Sequence, residues 1–542
     1  MHIDLEQLES TAPLYSHFCI VGGGIAGLLL AQRLARAGHR VALLEAGGLE
    51  FEDRSQALYQ AEMQAAHHSG SIKGRFRTFG GSSTRWGGQL LPFTADIFKP
   101  VTGSPSTPWP VAEDAVTAYY PEIERIMHVG SLPFSSDLLP SLGHPPVAFS
   151  PGIRLRYSKW APFHKRNLAR TVGRACLADP LIELYTHANV ASLHDGGGDG
   201  SGGARITHAR LLDYQGRVFE FRAEQFIVCC GTVESSRLLL SSPGVPNEHD
   251  QLGRYFHDHI SFHAATLPPT ARRQVLERLG PFFANGVLYT AKIEAASTLQ
   301  RDHGLGAVMA HIVIEEPADS GTAAVRNLLT SIQHGRLKEA ATRNLAPVLR
   351  GLGDVARLLW AARVHKRRAV SRRATVYLNI DLEQPGTPEN RIRLSAKLDA
   401  LGLPKAAVHW RVGEAEYGTA ARFSQIMKQE LASAGFAPLA WTPGLLEGVR
   451  PAMADTYHAM GGLRMGTDPA ASVVDPDLKV HGLENLHVAS CAVYPSGGSS
   501  NPTFTLMALT LRLADHLAAK ATPDPVAQAS LASGRTDQFV PQ

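Results

Sequence analysis

Residues 17–48 read HFCIVGGGIAGLLLAQRLARAGHRVALLEAGG, and this stretch decides the fold. An apolar run ending at Val21 has the makeup of a buried strand, LLLAQRLARAG follows at helical spacing, and HRVALLEAGG returns to strand. The result is a βαβ unit. Between its first strand and its helix, Gly22, Gly24 and Gly27 form G-x-G-x-x-G, a pattern that gains meaning from lying directly after a strand and at a helix start. Glycines there let the backbone turn tightly and approach a pyrophosphate, while the helix N-terminus offers free N–H donors and a dipole favourable to negative charge. Glu45 ends the second strand, where a carboxylate can hold ribose hydroxyls. Glycines that serve only close helix–strand packing are the bland alternative, disfavoured by strand, turn, helix and acid occurring together. A dinucleotide is the expected ligand. The fingerprint alone leaves NAD and FAD both open, since each presents an ADP half.

The whole chain has 542 residues, 44% hydrophobic and 19% charged, a composition for an ordinary globular protein with room for two or more cores. Lysine and arginine number 53 against 49 aspartates and glutamates, too even a balance to point to nucleic acid. The five cysteines, Cys19, Cys176, Cys229, Cys230 and Cys491, show no C-x-x-C spacing and sit mostly in apolar runs. A reducing, cytoplasmic setting is expected. The start, MHIDLEQLES, is acidic and the first apolar run is broken by glycines, so neither a signal peptide nor a membrane span is expected.

Further along, IKGRFRTFGGSSTRWGGQLL at about 72–91 is too rich in glycine, serine and basic residues for a regular element. It reads as a loop against a ligand, or more blandly as a surface loop. IELYTHANVASLH, ARITHARLLDY and RVFEFRAEQFIVCC alternate like strands and are separated by the tract DGGGDGSGG and a QG turn. From 322 to 373, leucines and valines recur at helical spacing among arginines, which suggests a pair of amphipathic helices. ATVYLNIDLEQ and RIRLSAKLDALGLPKAAVHWRV then read as strands and turns, and 414–434 as a helix.

Five segments together resemble the glucose-methanol-choline (GMC) oxidoreductases, FAD enzymes acting mostly on alcohols and sugars. They are VGGGIAG…LLEAGG, FGGSSTRWGG at 79–88, FIVCCGTVESSRLLLSS at 226–242, LGRYFHDH at 252–259, and YHAMGGLRMG…VVDPDLKVHGLENLHVAS…NPTFTLMALTLRLADHL from 457 to 517. The resemblance selects FAD. It implies that Gly80, Gly81, Ser82, Ser83, Trp86 and Gly87 wrap the flavin diphosphate, that Cys230 and Gly231 pass close to the cofactor, and that Val190 presents its backbone to adenine. Ile25, Ala26, Ala46, Ser490, Cys491, Asn501, Pro502 and Thr503 complete the implied cofactor set. Cys229 and Cys230 read as small strand residues rather than redox centres, having no basic activator nearby. Two positions depart from the family pattern. Ser490 stands where V-x-D-A-S has aspartate, and Gly462 where H-x-x-G-T has threonine. Arg85 occupies STRW where pyranose oxidases that tether the flavin have histidine in STHW, so the expected FAD is non-covalent.

His458 occupies the family's histidine position, and an imidazole titrating near neutrality can take a hydroxyl proton while hydride passes to flavin N5. Asn501 precedes Pro502, well placed as the first residue of a helix; an asparagine there can hold the substrate oxygen while the helix N-terminus favours reduced, anionic flavin. His257, His259, His481 and His487 read as structural, and HDH at 257–259 implies no metal, having no ligand set at a familiar spacing.

The resemblance implies an α/β fold: a Rossmann-like FAD/NAD(P)-binding domain from 1–100, 185–260 and 448–542, and an α+β substrate-binding domain with an antiparallel sheet from 101–184 and 261–447. The expected activity is oxidation of an alcohol, on a sugar, polyol or glycoside, with tailoring of a glycosylated natural product as a variant. A flavin-containing lyase or decarboxylase of the same family, and a non-catalytic flavin-binding protein, are the competing readings. The motifs leave the electron acceptor open. The basic stretch around Leu349, Arg350, Leu352, Arg357, Leu358, Leu359, Trp360, Arg363, Lys366, Arg367 and Arg368 reads as a solvated helix face, with peripheral attachment to an anionic membrane or partner as the sharper alternative.

Overall fold

The computed structural model describes residues 1–99, 106–196, 204–333 and 352–521. The opening βαβ unit forms as its pattern requires, with strand Leu14–Val21, helix Ile25–Arg36 and strand Val41–Leu44. Ala26 to Ala31 bury the first turns of that helix on every side, and Leu34 and Ala35 continue its buried face. These strands sit in an eight-stranded sheet. His2–Asp4, Ile182–Thr186, Val41–Leu44, Leu14–Val21 and Val218–Val228 run parallel in that spatial order.

Strand Val218–Val228 is the organiser of the sheet. Its first half pairs antiparallel with Ile206–Leu212, which pairs with Asn189–Asp195, and its last residues Phe226–Val228 pair parallel with Leu486–Val488. Distant parts of the chain therefore share one layer. The order reverses between Leu14–Val21 and Val218–Val228, and ligands of open α/β sheets bind in the crevice at such a point.

A nine-stranded sheet, antiparallel throughout, builds the second layer around Ile153–Trp160, Val287–Ala295, Val308–Glu315, Thr375–Glu383 and His259–Thr266. Register divides its faces. Ile260, Phe262, Ile293, Ala310 and Ile380 fall on one side and are buried, whereas the other side carries Ser261, Lys292, His311, Asn379 and Asp381. Those polar groups pair where they can: His311 Nε2 lies 2.8 Å from Asp381 Oδ2. A three-stranded sheet of Arg391–Leu398, Pro404–Trp410 and Glu62–Ala65 completes the strands.

The stretch read as amphipathic helices contains Gly321–Gln333 and Leu352–Arg363; Leu349 and Arg350, like 197–203 of the glycine tract, lie outside the described residues. Its basic face is not uniform. Trp360 is 62% exposed, but Arg367 turns inward and donates to the carbonyls of Leu276, Glu277 and Gly280. Among the described residues, no helix is long and apolar enough to cross a membrane.

Candidate active site

The glycine turn is built by close approach of two strands. A Cβ at Gly22, where φ is +106°, would lie 2.8 Å from the Cys229 carbonyl oxygen, and one at Gly27 would lie 2.0 Å from the Gly22 oxygen. Glycine is obligatory at both. Gly24 differs: nothing lies within 4 Å of its absent Cβ, and the same holds for Gly231. Both face open space where a ligand's backbone could come close.

That space is a cleft lined by Gly22, Gly24, Ile25, Ala26, Glu45, Gly81, Ser82, Cys230, Gly231, Ser490, Cys491 and Thr503. Three helices begin at it, Ile25–Arg36, Gly231–Leu240 and Pro502–Lys520, and none has a side chain capping its first N–H groups. Uncapped N-termini converging on one cleft favour an anion there. An adjoining recess shares Gly22, Glu45 and Cys230 and adds Ala46, Val190 and Arg77. Glu45 is buried, and its carboxylate accepts the N–H groups of Gly23 at 2.9 Å and Gly47 at 2.8 Å. Open glycines, bare helix N-termini and a carboxylate at the recess fit the diphosphate and ribose of FAD.

The other expected cofactor residues are engaged with protein. Gly80 N–H donates to Gly23 O at 2.8 Å, docking the second segment on the first. Ser83 Oγ donates to Gly80 O and accepts from Leu168 N–H. Trp86 Nε1–H donates to Arg166 O, and a Cβ at Gly87 would lie 2.9 Å from the Trp160 ring. The family departures are explained locally. Gly462 has φ of +95°, and a Cβ there would sit 2.6 Å from Ser236 Oγ; Ser490 Oγ accepts from Ala492 N–H, capping the short turn Cys491–Val493. Burial pushes the Cys230 and Cys491 thiols up to about 12, leaving them protonated and unreactive.

Tyr457 and Ala459 line the cleft on either side of His458. His458 Nε2 faces Asn501 Nδ2 at 3.2 Å. Its Nδ1 lies 2.9 Å from Thr456 Oγ1 and 3.0 Å from Nδ1 of His259, whose ring meets it edge-on. Asp258 Oδ1 accepts the backbone N–H of His458 at 3.0 Å. Burial above all, with His259 beside it, lowers the His458 pKa to about 4, so the imidazole is neutral at physiological pH.

The sequence reading had set His259 aside as structural, yet the fold brings it into contact with His458. The one available signal was its place in LGRYFHDH. Tyr59, Gly70, Gly74, Arg75, Phe76 and Thr232 also line the cleft and were not singled out. His257 is tied to Tyr255 O, and His481 Nε2 pairs with Ser472 Oγ; neither touches His458.

A family model described as GMC oxidoreductase matches residues 386–510, and one described as NAD(P)-binding Rossmann-like domain matches 20–49. The fructose dehydrogenase large subunit of Gluconobacter japonicus is 24% identical over 93% of this chain and 98% of its own length. Paromamine 6'-oxidase of Streptomyces fradiae is 23% identical over 92% of this chain and 90% of its own. The fold is shared with pyridoxine 4-oxidase from Mesorbium loti, with a TM-score of 0.54 at 17% identity, covering 94% of this chain and 100% of that one. The chain is thus similar to the GMC oxidoreductases over residues 386–510 and to a Rossmann-like dinucleotide-binding domain over residues 20–49.

Proposed function

We propose that the chain oxidises a CH–OH group of a small sugar, polyol or glycoside to a carbonyl, with FAD held non-covalently. When bound, FAD supplies the hydride acceptor. One observation carries the reading: His458 Nε2 and Asn501 Nδ2 stand 3.2 Å apart at the start of helix Pro502–Lys520, beside a cleft shaped for a dinucleotide. A hydroxyl entering between them would give its proton to the imidazole and accept the amide N–H. The low pKa of His458 keeps that lone pair available.

The cofactor domain in this reading comprises 1–100, 185–260 and 448–542, with substrate held by 101–184 and 261–447. Glu45 takes ribose hydroxyls, and Val190 lies at the adenine end. Non-covalent binding is supported by Arg85, whose guanidinium stacks 3.9 Å over Phe51 and cannot form the bond a histidine would. The substrate class is supported by relatives named for fructose and for paromamine.

The test is anaerobic titration of the yellow protein with a panel of sugars, polyols and glycosides. Bleaching of the flavin absorbance by one of them is expected. Turnover of a substrate without any bleaching would replace this reading with the lyase or decarboxylase one.

A further inference from the structure

A neutral histidine can serve as a base at only one ring nitrogen, and neighbours whose protons have no choice of position decide which. Gly497 O is a carbonyl, so His259 Nε2, 3.1 Å away, must bring the proton to that contact. Neutral His259 then has its lone pair on Nδ1, the atom 3.0 Å from His458 Nδ1. A second line of contacts reaches the same nitrogen. His68 Nδ1 accepts the Ser71 N–H at 3.0 Å, which leaves its proton on Nε2, 3.2 Å from Asp258 Oδ2. Against its burial, the His68 ring beside it holds Asp258 below the usual carboxylate range. As a carboxylate Asp258 can only accept, so Thr456 spends its hydroxyl proton on Oδ1, 3.2 Å away, and turns a lone pair to His458 Nδ1.

We propose that His259 and Thr456 are positioning residues that fix the Nδ1–H tautomer of His458 and leave Nε2 as its single proton acceptor. The inference rests on the reading above that His458 takes the substrate proton, and it deepens it by naming the atom. The O–H bond of the substrate breaks, its proton moves to Nε2, and the resulting imidazolium keeps its Nδ1–H on the two acceptors. Thr456 connects that positive charge to Asp258. Asp381 also favours it from the adjoining sheet, while Lys292 opposes it.

Selective ¹⁵N-histidine labelling of the holoenzyme tests the tautomer directly by NMR. The expected spectrum has His458 protonated at Nδ1 and bare at Nε2. In the His259→Leu/Thr456→Val variant both acceptors are gone; a mixed or inverted tautomer is expected, with flavin retained and its reduction slowed by at least ~10-fold. His259→Asn restores an acceptor oxygen near the Nδ1 position, and its rate should recover to within about 3-fold of wild type. A wild-type His458 carrying its proton on Nε2 would overturn the inference, as would a double variant with unchanged tautomer and rate. If the variants do not fold, the wild-type spectrum decides alone. Failure of the underlying reading looks different: His458→Ala would then reduce its flavin at the wild-type rate, whatever the tautomer.

Discussion

Acidifying the medium should leave substrate-driven flavin reduction nearly unchanged over a range where an ordinary histidine base would be silenced. Burial disfavours the His458 imidazolium, and with His259 beside it the pKa falls from 6.5 to about 4. The base works in its neutral form, so activity is present above the folded pKa and lost as pH falls through it. At about pH 5 a base with a pKa of about 4 is roughly 90% neutral, whereas one at 6.5 is roughly 3% neutral. Between about pH 7 and pH 5 the limiting rate constant should therefore fall by about 10%, against about 25-fold for the unperturbed group. So weak a base also fixes the timing of the step. Moving a proton to it from a hydroxyl about as acidic as water, pKa about 15.7, is uphill by about 16 kcal/mol. That is the entire barrier for a turnover of about 10 s⁻¹. The proton has to leave as the C–H bond breaks. Anaerobic stopped-flow with saturating alcohol between about pH 4.5 and 8 gives the profile, and deuteration of the hydroxyl and of the carbinol carbon should each slow the same phase. An ascending limb near 6.5 would refute the burial argument, and a phase slowed by carbon deuteration alone would refute the shared timing.

His458→Ala should keep the yellow cofactor but slow reduction by at least ~10²-fold, and Asn501→Ala should slow it too, with the double variant costing less than the product because the two act as a unit; stopped-flow on all three closes the cycle. Glu45→Ala strands the buried N–H groups of Gly23 and Gly47, at about 1–3 kcal/mol each, so thermal unfolding should move down and FAD titration of the apoprotein should show weaker binding. Acid precipitation should release the colour to the supernatant, and colour kept in the pellet would mean a covalent flavin. Sedimentation with anionic vesicles should leave the protein in solution at all salt concentrations; salt-sensitive pelleting would assign the face around Trp360 to a membrane instead.

What was readable in the sequence was whatever lay close along the chain. The turn from Val21 to Gly27 declared itself because strand, glycines and helix follow one another without a gap, and Pro502 marked a helix start. The resemblance to a family supplied His458 and Asn501. Contacts made across the fold were not readable. His259 and His458 are 199 positions apart, and no local pattern tells a histidine that packs from one that touches a base. Arg75 and Tyr59 reach the cleft from irregular segments, where neither period nor propensity carries a signal. Arg367 looked like one more surface charge until its guanidinium was found on three backbone carbonyls of a neighbouring helix end.

Strand Val218–Val228 lies between Leu14–Val21, near the start of the chain, and Leu486–Val488, near its end. This has a consequence for biosynthesis. A ribosome delivers the glycine turn and Glu45 long before Ser490, Cys491 and Thr503, which line the same cleft. Domains tend to fold as units as they are made, N-terminal first, yet here the cofactor cradle is a contact of very high sequence separation, and such topologies fold slowly. Flavin capture therefore has to wait for the segment around Ser490 and Thr503 and is no early template. Until then a nascent chain carries an incomplete cleft, and a stop codon before helix Pro502–Lys520 would leave the glycine turn without that helix start beside it.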